Sequence, residues 1–157
     1  MLDIILIGLA LALGAGGDGA DAPDTAVAIN GFQAEPQTPT GKFTTATEVK
    51  PILGMTRANW VAVREYDGQD LIYFTHLLAW RCGLHEIRYS VNGGPLELWA
   101  MPPCLLDTNA PNAIDTDLGL PYIARPLGSV SAMQVELLYD DMTTETASFQ
   151  RSDILMP

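Results

Sequence analysis

Two dipeptides constrain this chain more than any other feature in it. Asp67-Gly68 stands between "NWVAVRE" (59–65) and "DLIYFTHL" (70–77), and Asn92-Gly93 between "HEIRYSV" (85–91) and "GPLELW" (94–99). A two-residue turn with φ > 0 at both central positions matches the twist of the strands it joins, and Asx-Gly reaches it at the least steric cost. The flanks are rich in β-branched and aromatic residues, so each dipeptide predicts a β-hairpin. In the first, Val63 falls opposite Ile72, Ala62 opposite Tyr73 and Glu65 opposite Asp70, and the ladder continues to Val61–Phe74 and Trp60–Thr75. In the second, a direct count from the turn sets Tyr89 against Leu96 and Ile87 against Leu98. Arg88 then meets Glu97 and Glu86 meets Trp99 on the other face. A shift of one residue would mix the faces, so the direct count is the expected register.

"AMQVELLY" (132–139) and "TETASFQR" (144–151), joined by "DDMT", predict a third hairpin. "YIARPL" (122–127) and "TEVKPILG" (47–54) read as short edge strands, because a proline cannot donate to a central ladder. "LLDTNAPNAIDTDLGLP" (105–121) is loop by composition. No segment of the domain reads as a helix. The expectation is an all-β chain, an antiparallel β-sandwich of about 6–8 strands.

The only two cysteines, Cys82 and Cys104, flank the second hairpin. The direct count places Cys82 opposite Pro103, and the Pro102-Pro103 step must bulge, which brings Cys104 against Cys82. That predicts a disulfide at the hairpin mouth, contributing about 3 kcal/mol through loop closure. Zinc on His76, Cys82, His85 and Cys104 is disfavoured, since the set lacks the tight spacing of structural sites. A Cys–His nucleophile is disfavoured because a neighbouring cysteine should oxidise it in an exported chain.

Export is itself an expectation. Residues 1–17 combine an apolar run from Ile4 to Leu13 with small residues after it, the pattern of a signal peptide or short N-terminal anchor, although Asp3 is the only charged side chain before that run. Residues 18–41, rich in Gly, Ala, Pro, Asp and Thr, read as a flexible acidic tether. The sandwich domain is then 42–157. With 19 acidic against 8 basic residues and a net charge of −11, the chain should be repelled by nucleic acid, which is bound through Lys and Arg on phosphates. Membrane contact is expected only through an uncleaved N-terminal segment. The expected localisation is periplasmic or secreted.

No phosphate loop, Gly-x-Ser-x-Gly or His-Glu-x-x-His signature occurs. Asp107, Asn109, Asp115 and Asp117, with Asn112 between them, offer hard oxygen ligands of the kind that suit calcium. They depart from the EF-hand pattern, which needs a glycine at the sixth position from Asp107 and an acid where Leu118 stands. No catalytic residue and no cofactor is therefore assigned. The candidate binding face is Trp99 with Arg88, Glu86 and Glu97, on the polar side of the second hairpin, since tryptophan is enriched at interfaces. The competing expectation is that a second layer covers Trp99.

The stretches "IRYSVNGGPLELW" and "GSVSAMQVELLYDDMTTETASF" resemble the C–C′ and F–G hairpins of immunoglobulin-like or fibronectin-type domains. The resemblance spans about two-thirds of the chain at the level of strand pattern. The Cys–Trp–Cys arrangement of true immunoglobulin domains is missing, since Trp80 lies two residues before Cys82. The chain is also similar to small exported bacterial proteins, and neither resemblance implies an activity. Together these features point to a non-enzymatic, exported accessory or protein-interaction module of the cell envelope, whose partner is an envelope protein. The alternatives are a small-ligand or carbohydrate-binding module on the Trp99 face, and then a hydrolase.

Overall fold

Both turn dipeptides adopt the backbone their chemistry suits. Asp67 and Gly68 have φ of 51° and 71°, and Asn92 and Gly93 have φ of 55° and 74°. The computed structural model describes residues 31–157. The expected export segment, and the expected tether up to residue 30, lie outside the described residues. In chain order the elements are α1 (Ala46–Met55), β1 (Ala62–Tyr66), β2 (Gln69–Tyr73), α2 (Thr75–Leu78), β3 (Leu84–Val91), β4 (Glu97–Leu98), β5 (Tyr122–Pro126), β6 (Ala132–Tyr139), β7 (Thr144–Gln150) and α3 (Arg151–Ile154). The seven strands form two antiparallel sheets, ordered β1-β2-β5 and β4-β3-β6-β7. The chain is thus mostly β, in an arrangement consistent with a β-sandwich.

Period-two alternation explains how the sheets share a core. Ile87 pairs with Leu137, and Val135 lies between Tyr89 and Ala147. Met133 likewise lies between Val91 and Phe149. These residues bury on one face, while Arg88, Glu136 and Thr146 line the other. From the smaller sheet, Val63 and Ile72 enter the same apolar cluster. The first hairpin has the expected register, with Ala62 on Tyr73, Val63 on Ile72 and Glu65 on Asp70. Its second strand does not run through residue 77. It stops at Tyr73, and Thr75–Leu78 wind into α2. Adjacent Leu77 and Leu78 are both buried. A strand would send one of them outward, whereas a helical turn places both inward.

Residues 47–54 are not an edge strand but most of α1. Thr45 caps it by accepting from the Glu48 main-chain N–H, and the Thr45 hydroxyl donates to Glu48 Oε1 at 2.9 Å. Burial alone would raise the Glu48 pKa. The Thr40 N–H, the Thr45 hydroxyl and the N–H groups of Phe43 and Gly41 outweigh it and hold it at about 2. Ala46, Val49 and Leu53 form the buried stripe of the helix. Pro51 sits on its exposed side.

The second hairpin differs from expectation by one residue. The turn is at Asn92-Gly93, closed by Gly94 N–H to Val91 O at 3.0 Å. The ladder beyond it pairs Tyr89 with Glu97 and Arg88 with Leu98. One extra residue is therefore accommodated around Gly94–Leu96, where Pro95 has no N–H to keep a ladder. This shift changes which side chains face the core. The Trp99 N–H bonds Ile87 O at 2.9 Å, and Trp99 follows Ile87 inward. Its indole is 5% exposed and stacks on Phe74 with centroids 4.5 Å apart. Of the two expectations for Trp99, the covered one is observed, and what is corrected is the direct-count register: burying a large aromatic outweighs the sorted salt pair that favoured that count.

Candidate functional site

The hairpin mouth lies beyond the ladder, where β4 has ended at Leu98 and Cys82 sits in a 3₁₀ turn at Arg81–Gly83. Cys82 and Cys104 still meet there. The two form a disulfide, with Cα atoms 5.1 Å apart. Beyond Cys104 the chain runs to Pro121 with only a short 3₁₀ turn at Thr116–Leu118. Loops beyond about 12–15 residues in compact domains are functional or disordered. This one is braced from beneath. Arg81, only 1% exposed, places Nε and both terminal nitrogens on main-chain carbonyls of Leu78, Pro103, Asn112 and Ala113, at 2.9–3.0 Å. All five guanidinium N–H groups are used, and none meets a carboxylate. Asn112 adds a second clamp. Its Oδ1 accepts from the Cys82 N–H at 2.9 Å, and its Nδ2 donates to Lys42 O and Phe43 O.

The braced loop displays large apolar side chains. Leu106 is 67% exposed, Ile114 42%, Leu118 45% and Leu120 56%. Such groups on a rigid loop favour association, because ordering them costs little further entropy. Sequence reasoning missed this arrangement. Arg81 reads there as one charge beside a tryptophan, and burial of a cation by carbonyls alone has no spacing signature.

The residues of the expected binding face separate. Glu86 and Arg88 do lie on the outer face of the larger sheet, 3.1 Å apart as an ion pair. Their neighbour there is Leu98, not Trp99. Glu97 is on the Tyr89 side and reaches Arg125 of β5 at 3.5 Å. The acidic loop residues Asp107, Asn109, Asp115 and Asp117 do not converge on one point. Asp115 caps the 3₁₀ turn by accepting from the Asp117 N–H at 2.9 Å. Among the described residues no group of three His, Cys, Asp or Glu side chains is placed to hold a metal ion. His76 Nε2 lies 2.8 Å from Thr56 Oγ1, and His85 stacks on Phe32 with centroids 4.6 Å apart.

Two surface cavities lie among the described residues. The first, of about 440 Å³, lies beside the disulfide and is lined by Glu35, Thr40, Thr45, His85 and Asp140. Asp140 is buried, which raises its pKa against the hydrogen bonds it accepts from Gln37 Nε2 at 2.8 Å and the Ala46 N–H at 2.7 Å. Its Oδ1 thereby ties α1 and residue 37 to the end of β6, a structural use. Residues 32–37, which composition assigns to the tether, are held against the body here, with Glu35 N–H on Asp140 O at 2.7 Å. The second cavity, of about 520 Å³, opens on the outer face of the smaller sheet.

No family model, curated protein or solved structure matches this chain.

Proposed function

We propose that the protein is an exported, non-enzymatic interaction module with an immunoglobulin-like sandwich, and that it meets an envelope protein through the 105–121 loop. The observation that carries this reading is the loop itself: four exposed large apolar side chains on a long segment braced by a buried arginine and closed by a disulfide. Association surfaces of this kind are preorganised and apolar. The disulfide supports an oxidising compartment. No described helix is long and apolar enough to cross a membrane. The carbohydrate alternative loses its platform on the second hairpin, because Trp99 is in the core.

A photo-crosslinking amino acid placed at Leu120 in living cells tests the reading. A discrete adduct with an envelope protein is expected there, and none from the same group at Met55, which is 88% exposed at the end of α1. Replacing Leu106 and Leu118 with Ser should remove the adduct while the melting temperature is kept. Equal labelling from Met55, or no adduct from the loop, would overturn the proposal.

A further inference from the structure

The 520 Å³ groove falls within the roughly 300–1,000 Å³ range of small-molecule sites. Its floor is the outer face of the smaller sheet. Ala62 and Arg64 of β1 alternate onto that face, and Tyr73 of β2 pairs directly with Ala62. Met156 forms one wall, because its N–H bonds Val63 O at 2.8 Å and draws the C-terminal segment alongside β1. Asn59, Thr75 and His76 line the remainder.

The charge of this groove runs against that of the chain. The protein carries 19 acidic residues, yet no carboxylate lines the groove. Arg64 does. Among the described residues every other arginine is engaged by a carboxylate or by main-chain carbonyls, and Arg64 has no ion pair. Its guanidinium rests on the Tyr66 ring, 4.5 Å from the centroid, which orients it and leaves its N–H groups unused. An unpaired guanidinium in a cavity without acids complements an anion, and its fork suits a carboxylate held by two parallel bonds.

The rim is polar, and the floor beside Arg64 is the Ala62 methyl and the Tyr73 ring. Thr56 Oγ1 donates its one hydrogen to Ile52 O at 2.7 Å, so it must accept from His76 Nε2 at 2.8 Å. The neutral imidazole then keeps Nδ1 as a free acceptor. Burial lowers the His76 pKa and favours that neutral form. The Asn59 amide and the Thr75 hydroxyl supply further donors and acceptors. A ring with one apolar face, hydroxyls around its edge and one carboxylate matches every part of this lining. We propose that the groove binds a small acidic sugar, with the carboxylate on Arg64, the ring on Tyr73 and the hydroxyls among Asn59, Thr75 and His76. This site is separate from the 105–121 loop and does not depend on the partner proposed for it.

Titration of the disulfide-bonded protein with galacturonate and with digalacturonate, followed by amide NMR, tests the assignment. Saturable shifts are expected at Asn59, Ala62 and Thr75. Glucose, which has the ring without the carboxylate, should bind at least about tenfold more weakly, and so should benzoate, which has the carboxylate without the hydroxyls. Arg64→Gln, at an exposed position, should leave the melting temperature unchanged and weaken galacturonate binding about tenfold or more. Tyr73→Leu should weaken it while keeping the apolar floor. Absence of saturable uronate binding, glucose or benzoate binding as tightly as uronate, or full affinity in Arg64→Gln would each overturn the proposal.

Discussion

Arg81 shows how one side chain can hold a loop that has almost no regular structure of its own. Burial lowers its pKa from the ordinary arginine value, and five carbonyl contacts replace the water it has lost. Arg81→Met should cost about 3 kcal/mol or more, because the carbonyls of Pro103, Asn112 and Ala113 lose their donors. Urea unfolding reads the loss, and hydrogen exchange should show faster exchange within 105–113 than in β6. Arg81→Lys should recover little, since three clustered donors cannot reach carbonyls that a planar fork spans. Gly83 is the other residue fixed by its surroundings. A Cβ there would lie 2.4 Å from Val49 Cγ2 and 2.9 Å from Thr45 O. Gly83→Ala should therefore destabilise by about 1–3 kcal/mol, measured as a lower urea midpoint, because main chain cannot yield as a side-chain tip can. Neither role was legible in the sequence. Both depend on which distant backbone arrives at the residue.

Among the elements, the second hairpin separates what local chemistry specifies from what packing decides. Asn92-Gly93 predicted the turn and its backbone correctly. It did not specify how many residues follow before pairing resumes. Pro95 was the available signal, since a residue without an N–H invites an irregularity at that point. The choice belongs to Trp99, which gains the stack on Phe74 only in the shifted register. Deleting Leu96 takes out the extra residue, so the direct count then sets Tyr89 against Glu97 and Ile87 against Trp99, the partners already observed. Tryptophan emission should therefore stay unshifted in the deletion variant. A red shift would mean that the extra residue is needed to turn Trp99 inward. Helix α1 was legible in part. Thr45-x-x-Glu48 has the spacing of a capping box followed by apolar residues at 49 and 53, although the Glu48 carboxylate takes the N–H groups of Thr40, Gly41 and Phe43 instead, and Pro51 obscured the helix. Replacing both Cys82 and Cys104 with Ser should cost about 3 kcal/mol, read as a lower urea midpoint, because the open chain gains loop entropy when unfolded.

At the scale of the whole molecule, the three hairpin turns and the alternation around them carried the mostly-β architecture. What was not legible is the fastening of one sheet to the other, since that joins residues far apart in sequence. Its centre is Asp70 on β2, fully buried. Both of its oxygens accept from Arg151 at the start of α3, at 2.6 and 3.0 Å, and each also accepts a main-chain N–H, from Gly128 or Val130. Arg151 reaches Glu65 as well, at 2.6 Å. The Arg151 hydrogen bonds, with those main-chain donors, outweigh burial and hold the Asp70 carboxyl well below its usual range. A carboxyl whose folded pKa lies below its unfolded value stabilises the fold above the unfolded pKa, near 3.9, and loses that contribution as pH falls toward the folded value. Glu48 acts with the same sign and is fully lost only below about 2. Asp140, raised by burial, acts with the opposite sign and gains as the solution acidifies. Asp141 is lowered like Asp70 and Glu48, against burial, by the hydrogen bonds it accepts from Lys50 and Thr143, so three carboxyls stand against one. His76, lowered by burial, adds a loss that begins below its unfolded value near 6.5. Stability should therefore start to fall below about pH 6.5 and fall more steeply below about pH 4. Asp70→Asn should lower stability at pH 7 by about 3 kcal/mol, because Arg151 keeps its charge and loses its main partner. The same variant should show a shallower decline between about pH 4 and pH 2 than the parent protein, since the group that titrates there is gone. Urea unfolding of both proteins across that range measures the difference. Parallel curves would show that Asp70 does not govern the acid limb.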